Sequence, residues 1–328
     1  MHFARLVLTA ILGPPVVVGA LFCALAAGLA QLGRRSPAWD VLTHAAPFYL
    51  VGGMIALAAG LVFSDRYRTA ALIVGAAAVL GAALLIAPEY LDAKPPRADK
   101  AAPGAFKIIQ FNAWAGHGGL ERPAAWIAAQ QPDIVIMQET NLRLRQAIAA
   151  KAGLHIVDGR TEVTILSREP PISVARPRND KEGPMMLNAA TFRTPAGPAA
   201  ILGVHYPWPT ERDRMQYTAD LVRVVRGYPS ETTILAGDFN STPWSFARRR
   251  EDRAFGLIRR TRAVFSWPAA FHLPFPLLPI DHVYAGSAWA TVRVERGPKL
   301  GSDHYPVVVT LAPRAPRPAG PPDAPAPL

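Results

Sequence analysis

The residue types able to bind a cation, carry a proton or grip an anion gather in a few short segments of this 328-residue chain. Asp238 and Asn240 lie two apart in LAGDFNSTPWS, Asp303 and His304 are adjacent in GSDHYPVVV, and Asp281 stands in PIDHVYA. Residues two apart on an extended segment share a face. A carboxylate and an amide so placed can orient a water while touching an oxyanion, and Gly237 before them permits close backbone approach. The same letters also spell an Asx-turn leading into a helix begun by Ser241, Thr242 and Pro243. Adjacent residues on a strand face opposite ways, but where a strand begins Asp303 and His304 can both reach one pocket. Hard carboxylate oxygens suit Mg²⁺ or Mn²⁺, and an imidazole exchanges protons near neutral pH. Asp281 can orient the His304 ring through its other nitrogen, while His282 beside it reads as structural.

The elements that must position these groups are legible as apolar runs: FKIIQFN, DIVIMQE, EVTILS, AAILGVHY, TTILAGDF, DHVYA and YPVVVTL. Short, β-branched and bounded by turn residues, they read as strands largely buried in a sheet. Helical patterns intervene at about Arg122 to Gln130, Leu142 to Lys151 and Glu211 to Arg226, so residues 106–312 read as an α/β domain. Asn112, Glu139, His205, Asp238 and Asn240 all stand at the carboxyl ends of such runs. Strand ends that face one edge of a sheet bring distant residues together. The single cysteine, Cys23, lies far upstream, so this region has no disulfide, no Cys-ligated metal and no thiol nucleophile.

Residues 1–92 are of a different kind, with few charges and three apolar runs at about 6–32, 45–63 and 69–87. Each reaches or approaches the ~20 residues that cross a bilayer core, and none has the polar face of a helix buried in a soluble core. They read as three transmembrane helices. A cleaved signal peptide is the competing reading of the first run, and it would still leave two anchors. AKPPRADKAAPGA, residues 93–105, reads as a semi-extended linker, and the Pro/Ala-rich 313–328 as a disordered tail. The formal charge of +11, mostly from Arg, suits a phosphate-bearing substrate, nucleic acid or an anionic membrane surface. For a cluster such as Arg248, Arg249 and Arg250 the plain alternative is a solvated basic surface.

The order FNAW, MQET, VHYPWP, GDFNSTP, IDHV, GSDHYPV resembles the endonuclease/exonuclease/phosphatase superfamily over essentially all of 106–312. That superfamily includes DNase I-like nucleases, sphingomyelinases and inositol-phosphate phosphatases. The resemblance implies a four-layer α/β sandwich with a site at one edge of the paired sheets. It implies Glu139 as the main ligand of Mg²⁺ or Mn²⁺, with Asn112 helping to hold the ligand set or the phosphate and Asp303 completing the metal or water network. Asp238 would orient or deprotonate the attacking water, with Asn240 fixing it, and His205 would stand where some members place a proton donor. His304, held by Asp281, would act as base or as electrostatic clamp on the phosphoryl oxygens. DNA-repair members carry an acid two residues after the first Asn, where this chain has Trp114. HYPWP, with Arg214 and Gln216 after it, looks more like the membrane-anchored bacterial members, some of which, the VanJ-type glycopeptide-resistance proteins, are linked with lipid-phosphate hydrolysis.

The expectation is therefore a membrane-anchored, divalent-metal-dependent phosphoesterase of a bacterial inner or plasma membrane, hydrolysing a phosphate or pyrophosphate head group of a lipid-linked substrate. Tethering beside the bilayer would raise the effective concentration of such substrates. A metal-dependent nuclease, favoured by the Arg excess, and a non-catalytic tethered binding module are the alternatives, with nucleic acid the weaker partner. The positive-inside rule, counted on Arg5, Arg66 and Arg68 against Arg34, Arg35, Lys94, Arg97 and Lys100, leans mildly toward a cytoplasmic domain. The resemblance favours an extracytoplasmic one.

Overall fold

The computed structural model describes residues 2–92, 94–117, 119–158, 162–179, 183–211, 214–270 and 275–314. The Pro/Ala-rich tail from 315 onward, Ala93 of the expected linker and residues 212–213 of the expected third helix lie outside the described residues.

Three long helices come first: α1 (His2–Ala30), α3 (Ala46–Val62) and α4 (Asp65–Leu91), with the one-turn α2 (Pro37–Asp40) after α1. With the short turns that extend them, they form three spans, Phe3–Arg34, Pro37–Val62 and Asp65–Leu91, long and apolar enough to cross a membrane. Helices apolar on every side have no stripe to bury, so close approach through small residues decides how they pack. Gly53 of α3 and Gly75 of α4 face each other, and a Cβ on either would press on the other's carbonyl.

The remainder alternates strand and helix: β1 (Phe106–Asn112), α5 (Glu121–Gln130), β2 (Ile134–Gln138), α6 (Leu142–Ala152), β3 (His155–Asp158), β4 (Thr164–Ser167), β5 (Ser173–Ala175) and the short pair β6 (Arg178–Asn179) and β7 (Gly183–Pro184). Then follow β8 (Leu187–Thr194), β9 (Gly197–His205), α7 (Arg214–Arg226), β10 (Ile234–Asp238), α8 (Phe246–Phe255), β11 (Ile258–Arg259), β12 (Asp281–Ala285), β13 (Trp289–Arg296) and β14 (Val307–Pro313). Two six-stranded sheets result, ordered β13-β14-β1-β2-β4-β3 and β11-β12-β10-β9-β8-β5.

Alternation along the strands makes the layers. Ile108, Ile134, Ile136, Ile201, Ile234 and Val309 face the opposite sheet. Their neighbours Ile109, Val135 and Met137 turn outward onto α5 and α6, and Leu202 and Leu235 turn toward Leu221 and Val225 of α7. The architecture is the expected four-layer α/β sandwich. Within it β1 runs parallel to β2, and β9 parallel to β10, while β14, β4 and β12 run antiparallel to β1, β2 and β10. The ends of β1, β2, β9 and β10 therefore meet the starts of β4, β12 and β14 at one edge.

Several features depart from the sequence reading. The strands β8 and β13 and the helix α8 were not legible, because LNAATFRT, WATVRVER and FARRREDRAF carry too many polar residues to stand out as buried elements. The helix after GDFN starts later than Ser241, Thr242 and Pro243 imply: Ser245 is its cap, with Oγ accepting the Arg248 N–H at 3.0 Å. Neither reading of the Arg248–Arg250 cluster, substrate-facing or solvated, fits its first two members. Arg248 is fully buried and ion-paired with Glu251, and Arg249 donates to the Leu85 carbonyl of α4.

The helices and the sandwich are in contact, not merely joined by a tether. Ala27, Ala46, Tyr49, Ala82 and Leu85 form one apolar cluster with Trp244 and Phe246. Glu89 of α4 makes a bidentate ion pair with Arg259, at 2.9 and 2.7 Å. Residues 96–98 run beside β13, where the Thr291 N–H donates to Pro96 O at 2.7 Å and the Ala98 N–H to Thr291 O at 3.0 Å.

Candidate active site

The residues singled out in the sequence converge at the shared sheet edge, and Asn112 is the bridge. Its Oδ1 accepts the Trp114 N–H at 3.0 Å, which turns Nδ2 toward two carboxylates: Glu139 Oε1 at 2.8 Å and Asp238 Oδ2 at 3.1 Å. Glu139 follows β2 with φ +50, and Asn240 follows β10 with φ +47; Trp114 and Ala115, φ +46 and +52, lie beside Asn112. Left-handed backbone at non-glycine residues costs about 1–3 kcal/mol each and persists where the surroundings over-determine it, as they do at functional sites.

Asp238 is the centre. Its Oδ1 accepts the Asn240 N–H at 2.8 Å, and its Oδ2 lies 3.5 Å from His304 Nε2 and 3.9 Å from His205 Nε2. The Asn240 side chain spends its amide on Tyr206 O, at 2.9 Å, and the Tyr206 N–H returns to Asp238 O at 2.8 Å, tying the ends of β9 and β10 together. Burial pushes the Asp238 carboxyl up and the neighbouring Asp281 charge adds to this, against the lowering pull of His304 and His205. A carboxylate so raised is a better proton acceptor than an ordinary Asp.

His304 Nδ1 lies 2.8 Å from Asp281 Oδ2. Burial opposes a charge on the ring, but the carboxylates of Asp281 and Asp238 outweigh it and push His304 up to about 10, so the imidazolium form is held. Ser302 ties the His304 backbone to β1: its Oγ donates to Asn112 O at 2.7 Å and accepts the His304 backbone N–H at 3.0 Å. Asp303 stands further out, its Oδ2 taking Trp267 Nε1–H at 3.1 Å, and among the described residues it joins the cluster through Ser302 and the field it exerts on His304. His282 is fully buried with Nε2 on Ser241 O at 2.9 Å, a supporting contact under the loop.

The sequence reading missed Glu162, whose Oε2 lies 3.2 Å from His205 Nδ1. Burial works against a charged His205, but Glu162, Asp238 and Glu139 raise it, and His205 in turn lowers Glu162. The available signal was the charge at the start of EVTILS, since β4 runs antiparallel to β2 and its start lies at the site edge. The task of Arg214 is not legible in the sequence: Nη2 donates to Ser241 Oγ at 3.0 Å while Nη1 donates to Pro207 O, joining the loops after β10 and β9.

Two groups compete as a cation site. Asp238, Asp281 and His304 offer ligand atoms within 4.8 Å of one another. That group is better read as a proton-holding set, because both His304 ring nitrogens already face carboxylates. Glu139, with its side chain 34 % exposed against 1 % for Asp238 and 0 % for Asp281, is the carboxylate an incoming ion meets first. Its hard oxygens and the amide that aims them fit a divalent cation.

The profile of the Endonuclease/Exonuclease/phosphatase family matches residues 109–304, the span from β1 to His304. Among solved structures, an endonuclease/exonuclease/phosphatase from Bacteroides vulgatus is similar with TM-score 0.53 and 17 % identity, covering 64 % of this chain and 99 % of that one. An AP endonuclease from Archaeoglobus fulgidus has TM-score 0.51 and 19 % identity over 62 % of this chain and 98 % of its own. An endonuclease/exonuclease/phosphatase from Beutenbergia cavernae has TM-score 0.50 and 19 % identity over 64 % of this chain and 72 % of its own. At these identities the likeness is one of fold. Comparison with the curated proteins finds no match.

Proposed function

The chain belongs to the Endonuclease/Exonuclease/phosphatase family, whose members are typically hydrolases of phosphodiester bonds and usually depend on a divalent metal, and we propose that this one is a membrane-anchored phosphoesterase acting on a phosphate or pyrophosphate head group of a lipid-linked substrate. The observation that carries the reading is a carboxylate, amide and imidazole cluster built on a sandwich that three membrane-length helices clasp directly.

In this reading Glu139, aimed by Asn112, would hold Mg²⁺ or Mn²⁺, with Asp303 acting from further out through Ser302. When bound, such a cation neutralises phosphate charge and polarises the ester. Asp238, held by the Asn240 N–H, orients the attacking water and takes its proton. His205, backed by Glu162, gives a proton to the leaving oxygen. His304, kept charged by Asp281, stabilises the phosphoryl oxygens as negative charge builds on them.

A nuclease is the second reading, motivated by the net charge of +11. The test is a panel with the full-length chain in nanodiscs and Mg²⁺ or Mn²⁺: lipid pyrophosphate, a phosphomonoester, sphingomyelin and plasmid DNA. Turnover of a lipid phosphate, lost in Asp238→Ala and His304→Ala, is expected. Nicking of DNA without lipid turnover favours the nuclease, and activity surviving in both variants sinks the site assignment. We place the catalytic region outside the cytoplasm, and a reporter fused after Leu328 that reads cytoplasmic would overturn this.

A further inference from the structure

The helices meet the sandwich at the segment that carries Asp238 and Asn240. We propose that the turn between α1 and α3 is a positioning element of the active site, in which His44 and Asp40 hold residues 238–247 in the shape that aims the Asp238 carboxylate. This rests on reading Asp238 as the group that orients the attacking water.

His44 lies in the 3-10 turn Val41–Ala45. Its Nδ1 stands 3.2 Å from the Thr242 backbone nitrogen and 2.9 Å from Thr242 Oγ1. A backbone N–H can only donate, so Nδ1 is the lone-pair nitrogen of the ring. Asp40 accepts the Phe246 N–H with Oδ1 and the Ala247 N–H with Oδ2, each at 2.8 Å. These are the first two amides of α8, so a carboxylate from beside α1 completes the cap that Ser245 begins, at the positive end of the helix dipole. Asp40 and Thr242 are both buried.

The sandwich grips the same segment from the other side. Arg214 Nη2 holds Ser241 Oγ at 3.0 Å, His282 Nε2 holds Ser241 O at 2.9 Å, and the Phe239 N–H donates to Ile280 O at 3.0 Å. Between the two grips sits Asn240, with φ +47 and the N–H that fixes Asp238 Oδ1 at 2.8 Å. A strained residue keeps its conformation only while its surroundings over-determine it, and freeing Thr242 removes one of those constraints two residues away. Anchoring alone would need none of this, since chain connectivity through residues 94–105 and the Glu89–Arg259 pair already join the two parts.

The test uses the full-length chain in nanodiscs with Mn²⁺ and a phosphoester, and reads kcat, KM, Mn²⁺ affinity and hydrogen exchange of the 238–247 peptide. His44→Ala is expected to lower kcat about ten- to a hundred-fold, the scale of a sub-ångström to ångström misplacement, with KM and Mn²⁺ affinity unchanged and exchange in 239–247 accelerated. His44→Asn, whose Oδ1 comes near the position of Nδ1, restores both to within about threefold. Glu89→Gln breaks the other clasp and lowers the unfolding temperature without moving kcat or that exchange. If His44→Ala does not fold, Asp40→Asn, which keeps one of the two capping oxygens, makes the same comparison. Unchanged exchange, faster exchange with unchanged kcat in an active enzyme, or an equal loss of kcat in Glu89→Gln each overturns the proposal. An inactive wild type refutes the reading of the site instead, and the exchange data still decide whether His44 holds the segment.

Discussion

Replacing Asp281 tests how His304 is held. Asp281 Oδ2 lies 2.8 Å from His304 Nδ1, and the aspartate side chain is 0 % exposed. At an effective dielectric of ~20, two unit charges at that distance attract by roughly 6 kcal/mol, most of it offset by desolvating both groups. The net difference is better taken from hydrogen bonds: about 1.5–3 kcal/mol when a partner is charged, about 0.5–1.5 when both are neutral. Asp281→Asn keeps the shape and an acceptor for the ring N–H and loses the charge, so a loss of about 1.5 kcal/mol, or ~10-fold in kcat, is expected. Asp281→Ala also leaves the buried Nδ1–H unpaired and the ring free to turn, adding about 1–3 kcal/mol and bringing the loss to roughly 10²–10³-fold. Initial rates of phosphoester hydrolysis by the full-length chain at saturating Mn²⁺, with kcat and KM separated, measure this series. Asp281→Ala within about threefold of wild type, or more active than Asp281→Asn, would refute the reasoning.

Glu162→Gln should lower kcat less than Asp281→Asn in the same assay, because its carboxylate is 59 % exposed and solvent screens its hold on His205; a larger loss would give Glu162 a direct role. Glu139→Ala should abolish Mn²⁺ binding in calorimetry, and chelation should stop wild-type turnover until metal is restored; unchanged affinity would move the ion elsewhere. Glu89→Gln breaks an ion pair whose side chains are 6 % and 11 % exposed, and Arg259 keeps Asp252 at 3.2 Å, so the cost falls at the lower end of the ~3–5 kcal/mol of a broken buried pair. A thermal melt in detergent reads this, and an unchanged midpoint argues against the clasp. Gly237→Ala would drive a Cβ into the Val204 carbonyl and part β9 from β10, an overpacking of at least ~1–3 kcal/mol, so that folded protein is scarce and what remains is inactive. Wild-type melting and activity in this variant would contradict the close approach.

The site was legible to the extent that its parts stand where local pattern ends. Asn112, Glu139, His205 and Asp238 follow apolar runs, and a polar residue at the end of a buried strand is visible in one dimension. Glu162 was not singled out because a lone carboxylate at the start of a strand looks like any turn residue, and only the pairing of β4 with β2 shows that this start shares the edge. Arg248 has the look of solvated surface charge in the sequence, yet it is buried and paired with Glu251 inside the protein, and no local rule distinguishes a paired buried charge from a solvated one.

The sequence by itself determined the chemical inventory, an α/β domain and three apolar runs long enough to cross a membrane, because strand, turn and apolar-run signals are local, while the four-layer sandwich was implied only by the family resemblance. Tertiary structure alone decided how the inventory is wired. It set Asn112 between two carboxylates, turned Nδ1 of His304 to Asp281 and Nε2 to Asp238, and brought His44 and Asp40 to Thr242 and Phe246 across 198 and 206 residues. Those contacts depend on sheet pairing and on where the helices dock, and both arise from apolar burial summed over the whole chain rather than from any residue's neighbours in sequence.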